Sequence, residues 1–195
     1  MNRSCLAMLL LVAACHAPDA AAPAARPPLA GATIGGPFSL IDQHGRTVTD
    51  RTFQGRYRIM YFGYTFCPDV CPTDVQAIGA AVKVLEGSDP ALAARIVPIF
   101  VTVDPARDTP AVVGQFVSAF HPRMVGLTGS PAAIGATAKE FAIYFSKGPT
   151  AADGGYLVNH SRQAYLMDQN NKPLALLPVE QGPQAIADEI KRWAH

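Results

Sequence analysis

The chain has 195 residues, 49% of them apolar, and its 16 Lys and Arg nearly balance 15 Asp and Glu, for a formal net charge of +1. That length and apolar share suit one domain with a real hydrophobic core and argue against a second. No run of Lys or Arg forms an electrostatic footprint, so nucleic acid is set aside as a partner.

Met1-Asn2-Arg3 is followed by the apolar run Leu6 to Ala14. The run is too short to cross a bilayer and long enough for the hydrophobic region of a signal peptide. It ends in Val12-Ala13-Ala14-Cys15, which resembles a lipobox, where a peptidase cuts before a lipidated cysteine. Residues 1–14 therefore read as a lipoprotein signal peptide, and Cys15 as the lipidated first residue of an exported protein anchored on the periplasmic side. From there to Pro37, Ala and Pro dominate and large apolar residues are almost absent, so 15–37 reads as a tether and 38–195 as the folded domain.

Phe38 to Asp42 and Arg46 to Thr49 flank Gln43-His44-Gly45, which predicts a hairpin closed by a Gly turn and covering one sheet edge. Arg58 to Tyr64 and Ile96 to Val103 are short apolar runs of the kind that form buried central strands. Between them Val75, Ile78, Val82 and Leu85 recur at helical spacing over Asp74 to Glu86, after Pro72, a residue suited to a first turn. Thr109-Pro110 opens a predicted helix through Phe120, and Ser130-Pro131 opens another that places Ile134, Ala138 and Phe141 on one face. Tyr156 to Val158, Ala164 to Met167 and Leu174 to Leu177 read as strands, the last two around a turn at Asp168 to Lys172. A closing helix spans Pro183 to Trp193. This alternation predicts an α/β fold, a thioredoxin-like sandwich with a central mixed sheet, flanking helices and an N-terminal hairpin.

Cys5 leaves with the signal peptide and Cys15 carries the lipid, so Cys67 and Cys71 are the thiols of the domain. Phe66-Cys67-Pro68-Asp69-Val70-Cys71-Pro72 follows a buried strand and begins a helix, where unpaired amides and the positive end of the helix dipole stabilise a thiolate. A depressed pKa is expected at Cys71 in particular. Across one helical turn the two sulfurs are near enough to share a metal or close a disulfide. In an oxidising compartment they form a redox pair, a metal site or a structural disulfide, and spacing does not choose among these.

Two thiolates are soft ligands that favour Cu(I), whereas Cu(II) or Zn(II) calls for an added imidazole. His16 lies in the tether, His44 in a turn, His121 at a helix end and His195 at the last residue, and all four read as solvated. His160 differs because Tyr156-Leu-Val-Asn-His160 carries it to the end of an apolar segment. By itself such a histidine still reads as an ordinary core or surface residue.

The segment Tyr61-Phe-Gly-Tyr-Thr-Phe-Cys-Pro-Asp-Val-Cys-Pro-Thr73 resembles the signature of the Sco/SenC family of copper-binding cytochrome c oxidase assembly proteins. Val103 to Pro110, Gly126 to Gly129, and His160-Ser161 followed by Tyr165-Leu166 match further family segments in the family's order. The resemblance implies that Cys67 and Cys71 bind copper through sulfur, as Cu(I) or Cu(II), and that His160 completes the site from a separate loop. It implies a metallochaperone that supports assembly of the dinuclear copper centre of cytochrome c oxidase, by handing over copper or by reducing that centre's cysteines. The implied partners are the copper-centre subunit of the oxidase, an extracytoplasmic thioredoxin-like reductant that reopens a Cys67–Cys71 disulfide, and other copper chaperones. A role at a respiratory enzyme places the lipid anchor in the inner membrane. Asp104 and Asp108 fall in a family motif, yet their context reads as loop and helix-start residues rather than ligands. Asn159 departs from relatives that often carry Asp there, so a negative charge beside His160 is missing.

The rival reading is a thiol-disulfide oxidoreductase, in which one of Cys67 and Cys71 attacks a partner disulfide and the other resolves the mixed intermediate. Against it, three residues rather than the usual two separate the cysteines, and His160 stands where a thioredoxin carries an X-Pro turn. A peroxiredoxin is disfavoured further, because Pro68 occupies the position three before Cys71 where those enzymes place Thr or Ser.

Overall fold

The computed structural model describes residues 25–152 and 154–195; the expected signal peptide and the lipidation site at Cys15 lie outside the described residues. The N-terminal hairpin forms where the sequence predicts it, with β1 (Ser39–Asp42) and β2 (Thr47–Thr49) pairing antiparallel. Gly45 in its turn has φ +77°, a left-handed conformation that favours glycine, and Asp42 closes the turn by accepting from the amides of His44 and Arg46. Next come β3 (Tyr57–Gly63) and β4 (Ile96–Thr102), parallel neighbours with every residue buried, as strands covered on both faces must be.

The connection between them holds α1 (Val70–Ser88), which starts earlier than the predicted Asp74, and the short α2 (Pro90–Arg95), which the sequence reading missed. After β4 come α3 (Pro110–Ser118), β5 (Val125–Thr128) and α4 (Pro131–Glu140). Both helices open on proline, and the side chains of Thr109 and Ser130 cap them by accepting from the amides of Val112 and Ala133. The chain ends with β6 (Phe145–Thr150), β7 (Tyr156–His160), β8 (Ala164–Met167), β9 (Pro173–Leu176) and α5 (Pro183–Trp193), the last at its predicted bounds.

Among the described residues seven strands make one mixed sheet in the order β2-β1-β5-β4-β3-β8-β9, while β6 and β7 form a separate hairpin. Helices α1, α3 and α5 cover one face: an added Cβ on Gly63 would meet Cys71 of α1, one on Gly126 would meet Val113 and Val117 of α3, and α5 packs on α1. On the other face Phe141, at the end of α4, packs against Phe62 with ring centroids 5.3 Å apart. Helices on both faces of a mixed sheet give the predicted sandwich. Among the described residues no helix is long and apolar enough to cross a membrane.

The stretch read as tether does not stay free as far as Pro37. Leu29 donates its amide to the carbonyl of Leu174, Gly35 donates to Glu140, and Gly36 accepts from the side chain of Asn171. Leu29 and Ile34, the two large apolar residues in that stretch, pack against the core. Gly35 has φ +88° and lies so close to Met167 and the Asn171 carbonyl that a side chain would not fit, so this segment belongs to the folded domain.

Candidate metal centre

Three elements meet at the C-terminal end of β3. Cys67 lies in the loop leaving that strand, Cys71 is the second residue of α1, and His160 ends β7, where it pairs with Phe145. Both thiols are free, and their sulfurs and a ring nitrogen of His160 lie within 4.8 Å of one another. Cys71 Sγ is 3.2 Å from His160 Nε2. The other ring nitrogen, Nδ1, lies 2.9 Å from the carbonyl oxygen of Ser161, which can only accept, so Nδ1 carries the proton. That hydrogen bond leaves the Nε2 lone pair facing the sulfurs, the usual arrangement of a ligating imidazole and its outer-sphere partner. Tyr64 meets the His160 ring edge-on at 5.9 Å and forms one wall. A glycine at position 63 makes room for Cys71, because a Cβ there would stand 3.0 Å from its sulfur and 3.0 Å from Tyr61.

The thiols differ in a way opposite to the expectation from sequence. Burial alone raises the pKa of Cys67, but the amides of Asp69 and Cys71, the Cys71 thiol and the Tyr64 hydroxyl outweigh it and hold Cys67 below the ordinary thiol value. Burial pushes Cys71 well above that value, and the neighbouring Cys67 adds to the rise. The physical reason for the correction is that the free amides at the start of α1 point at Cys67, which sits outside the helix. Cys71 sits within its first turn with no exposed surface.

Side chains that the sequence reading did not connect surround the three donors. Asp74 is fully buried and bonded to Tyr61 and Arg162. Asp108 ties the Cys67 loop to β4, accepting from the amide and hydroxyl of Thr65 and from the hydroxyl of Thr102. Asp104 holds Arg107 and accepts from the Tyr156 hydroxyl at 2.8 Å, and the Arg107 guanidinium lies over the rings of Tyr156, Phe66 and Tyr64. Thus Asp104 and Asp108 brace loops, as expected, although Thr109 and not Asp108 caps α3. His44 and His195 are exposed, as expected, whereas His121 is buried: its Nδ1 accepts from the Arg123 amide and its Nε2 is 3.4 Å from Glu86. Asn159 lies next to His160 on β7 and is exposed.

The sequence model of the SCO1/SenC family matches residues 26–195. The chain belongs to this family. Among its relatives, the SCO1 homolog 1 of Arabidopsis thaliana mitochondria is 45% identical over 142 residues, which span 72% of this chain and 41% of that protein. SenC of Rhodobacter capsulatus is 43% identical over 164 residues, 83% of this chain and 71% of that protein. The chain therefore spans well under two thirds of the Arabidopsis protein. A structure of Bradyrhizobium japonicum ScoI with copper bound superposes with a TM-score of 0.74 at 39% identity, over 82% of this chain and 99% of that one. The thioredoxin domain of a Bacteroides vulgatus thiol-disulfide oxidoreductase, at 12% identity and a TM-score of 0.58, shares the fold alone and bears out the thioredoxin-like class.

Two thiols and one imidazole make a donor set that suits copper in either oxidation state: the sulfurs hold Cu(I), and the nitrogen completes a site for Cu(II). The same thiols, at this separation, can also close a disulfide.

Proposed function

We propose that this member of the SCO1/SenC family binds one copper ion through Cys67 Sγ, Cys71 Sγ and His160 Nε2 and supports assembly of the dinuclear copper centre of cytochrome c oxidase. The observation that carries the reading is the convergence of those three atoms, with the Nε2 lone pair turned toward Cys71 by the bond from Nδ1 to Ser161. Copper-bound structures of relatives at 36% to 39% identity support it. The protein works outside the cytoplasm, anchored at Cys15, and its partners are the copper-centre subunit of the oxidase, a thioredoxin-like reductant and other copper chaperones.

Anaerobic copper titration of the reduced domain tests this. One copper per chain with thiolate-to-copper charge-transfer bands is expected, lost in Cys67→Ser and Cys71→Ser. His160→Ala is expected to weaken Cu(II) far more than Cu(I). A wild type that takes up no stoichiometric copper sinks the proposal. In the full-length chain, mass spectrometry of the membrane-fraction protein is expected to show Cys15 as a lipid-modified first residue; an unmodified Cys15 would refute the anchor.

The unequal thiols favour a second reading, thiol-disulfide exchange. Cys67, partly exposed and the more acidic, attacks a partner disulfide and forms a mixed disulfide while the first partner thiolate departs. Cys71 then gives up its proton and displaces the second, leaving a Cys67–Cys71 disulfide and a dithiol on the partner, a transfer of two electrons. Rapid exchange without copper uptake in the titration would make this the main role.

A further inference from the structure

Asp74 lies on α1 one turn beyond Cys71, its side chain fully buried against β3. Its carboxylate accepts three hydrogen bonds: from the Tyr61 hydroxyl at 2.9 Å, from Arg162 Nε at 2.7 Å and from Arg162 Nη2 at 2.6 Å. Arg162 follows His160 by two positions and its side chain is 43% exposed, so the ion pair reaches from a surface loop to the floor of the site. Ser161, between them, is bound to Tyr144: its hydroxyl accepts from the Tyr144 amide and its amide donates to the Tyr144 carbonyl. These bonds hold His160 within its own hairpin, and they do not set how far that hairpin stands from the cysteines.

Among the described residues, Asp74–Arg162 is the one ion pair joining α1 to the loop after His160. It is a two-pronged fork, which fixes orientation as well as distance. A buried ion pair adds little stability over apolar side chains of the same volume, so its contribution here lies in geometry.

We propose that Asp74 and Arg162 are positioning residues of the metal centre. They act as a strut between helix and loop that sets the distance from His160 Nε2 to the two sulfurs, with Tyr61 bracing the same carboxylate from β3. The proposal rests on the copper reading. Two thiolates hold Cu(I) without help from the imidazole, so the strut matters for Cu(II).

The test compares wild type with Arg162→Met, Asp74→Asn and the double variant. Changing the partners of metal-bound histidines alters affinity by about 10- to 100-fold, so Arg162→Met is expected to weaken Cu(II) about tenfold and to shift the charge-transfer band. Cu(I) affinity is expected to stay near the wild-type value. The two single losses do not add in the double variant, because each removes the same strut. If Arg162→Met fails to fold with Asp74 left unpaired, the double variant, which buries no charge there, carries the measurement. A lower melting temperature with unchanged Cu(II) affinity and spectrum overturns the proposal. Metal-free reduced protein provides a separate arm: the nuclear Overhauser contact between the His160 ring and the Cys71 side chain is expected in wild type and lost in Arg162→Met. Its retention overturns the strut even if wild type binds no copper, a result that would by itself sink only the copper reading.

Discussion

Two buried charges lie toward opposite ends of β3, and the protein treats them differently. Near the strand's C-terminal end, against Tyr61, the Asp74 carboxylate has no exposed surface and receives hydrogen bonds from Tyr61 and both prongs of Arg162. At the N-terminal end the Arg58 guanidinium is equally buried, yet among the described residues its Nε and Nη1 have no partner. Asp50 and Asp168 favour its charge from nearby, but burial is the larger effect and lowers its pKa. An unpaired buried donor loses its water without replacement, whereas a fully bonded ion pair trades water for fixed geometry. The charge that is fully satisfied is the one that stands beside the cysteines.

The contrast can be broken at the site end first. Gly63→Ala puts a methyl group 3.0 Å from Cys71 Sγ and from a ring carbon of Tyr61. Overpacking of this kind destabilises by about 2 kcal/mol, measured by chemical denaturation, and the displaced sulfur is expected to shift the copper charge-transfer band. An unchanged stability would mean that the site end is loosely packed.

Titration sharpens the comparison next. Cys67 has a folded-state pKa below its unfolded value, so it contributes stability that grows as pH rises toward the ordinary thiol pKa. Cys71 has a raised folded-state pKa, so its contribution is full below that ordinary value and is lost as pH rises beyond it. Reduced, metal-free protein is therefore expected to be most stable near about pH 8.5 and to lose up to about 1.4 kcal/mol per pH unit above it. Cys71→Ala should abolish the loss between about pH 8.5 and about pH 10, above which tyrosines with raised pKa such as Tyr61 and Tyr165 add their own, and equal sensitivity of that variant in this window would refute the assignment.

The smallest effect is expected at the other end. Arg58→Met removes two buried donors that have no partner among the described residues and keeps an apolar stem of similar length, so stability should rise by about 1 kcal/mol, or roughly 3 °C in melting temperature. A fall instead would mean that Arg58 is satisfied in solution and that the contrast is weaker than the structure indicates.

Much of the fold was legible because its signals are local. The apolar runs of β3 and β4, the proline-led starts of α3 and α4, and the Gly turn between β1 and β2 can each be read within a few residues. Strand β6 escaped because Phe145 to Thr150 holds Lys147, Gly148 and Pro149 and buries little; its pairing with β7 is what makes it a strand. The docking of 29–36 escaped because composition averages over a stretch in which only Leu29 and Ile34 bring large apolar side chains to the core. In the site, the two cysteines announced themselves by position, and His160 stood out through its segment and the family resemblance. Asp74 and Arg162, 88 positions apart, carried no sign that they belong together.

The sequence by itself determined the order of most elements and the family, and it singled out Cys67, Cys71 and His160 as candidate donors, because periodicity, turn chemistry and motif are written along the chain. Only the tertiary structure decided which thiol is the acidic one, which ring nitrogen faces the sulfurs, and that a buried carboxylate on the cysteine helix is clamped by the loop of the histidine. Those properties depend on burial and on partners distant in sequence, and they come into existence only when the sheet packs against its helices.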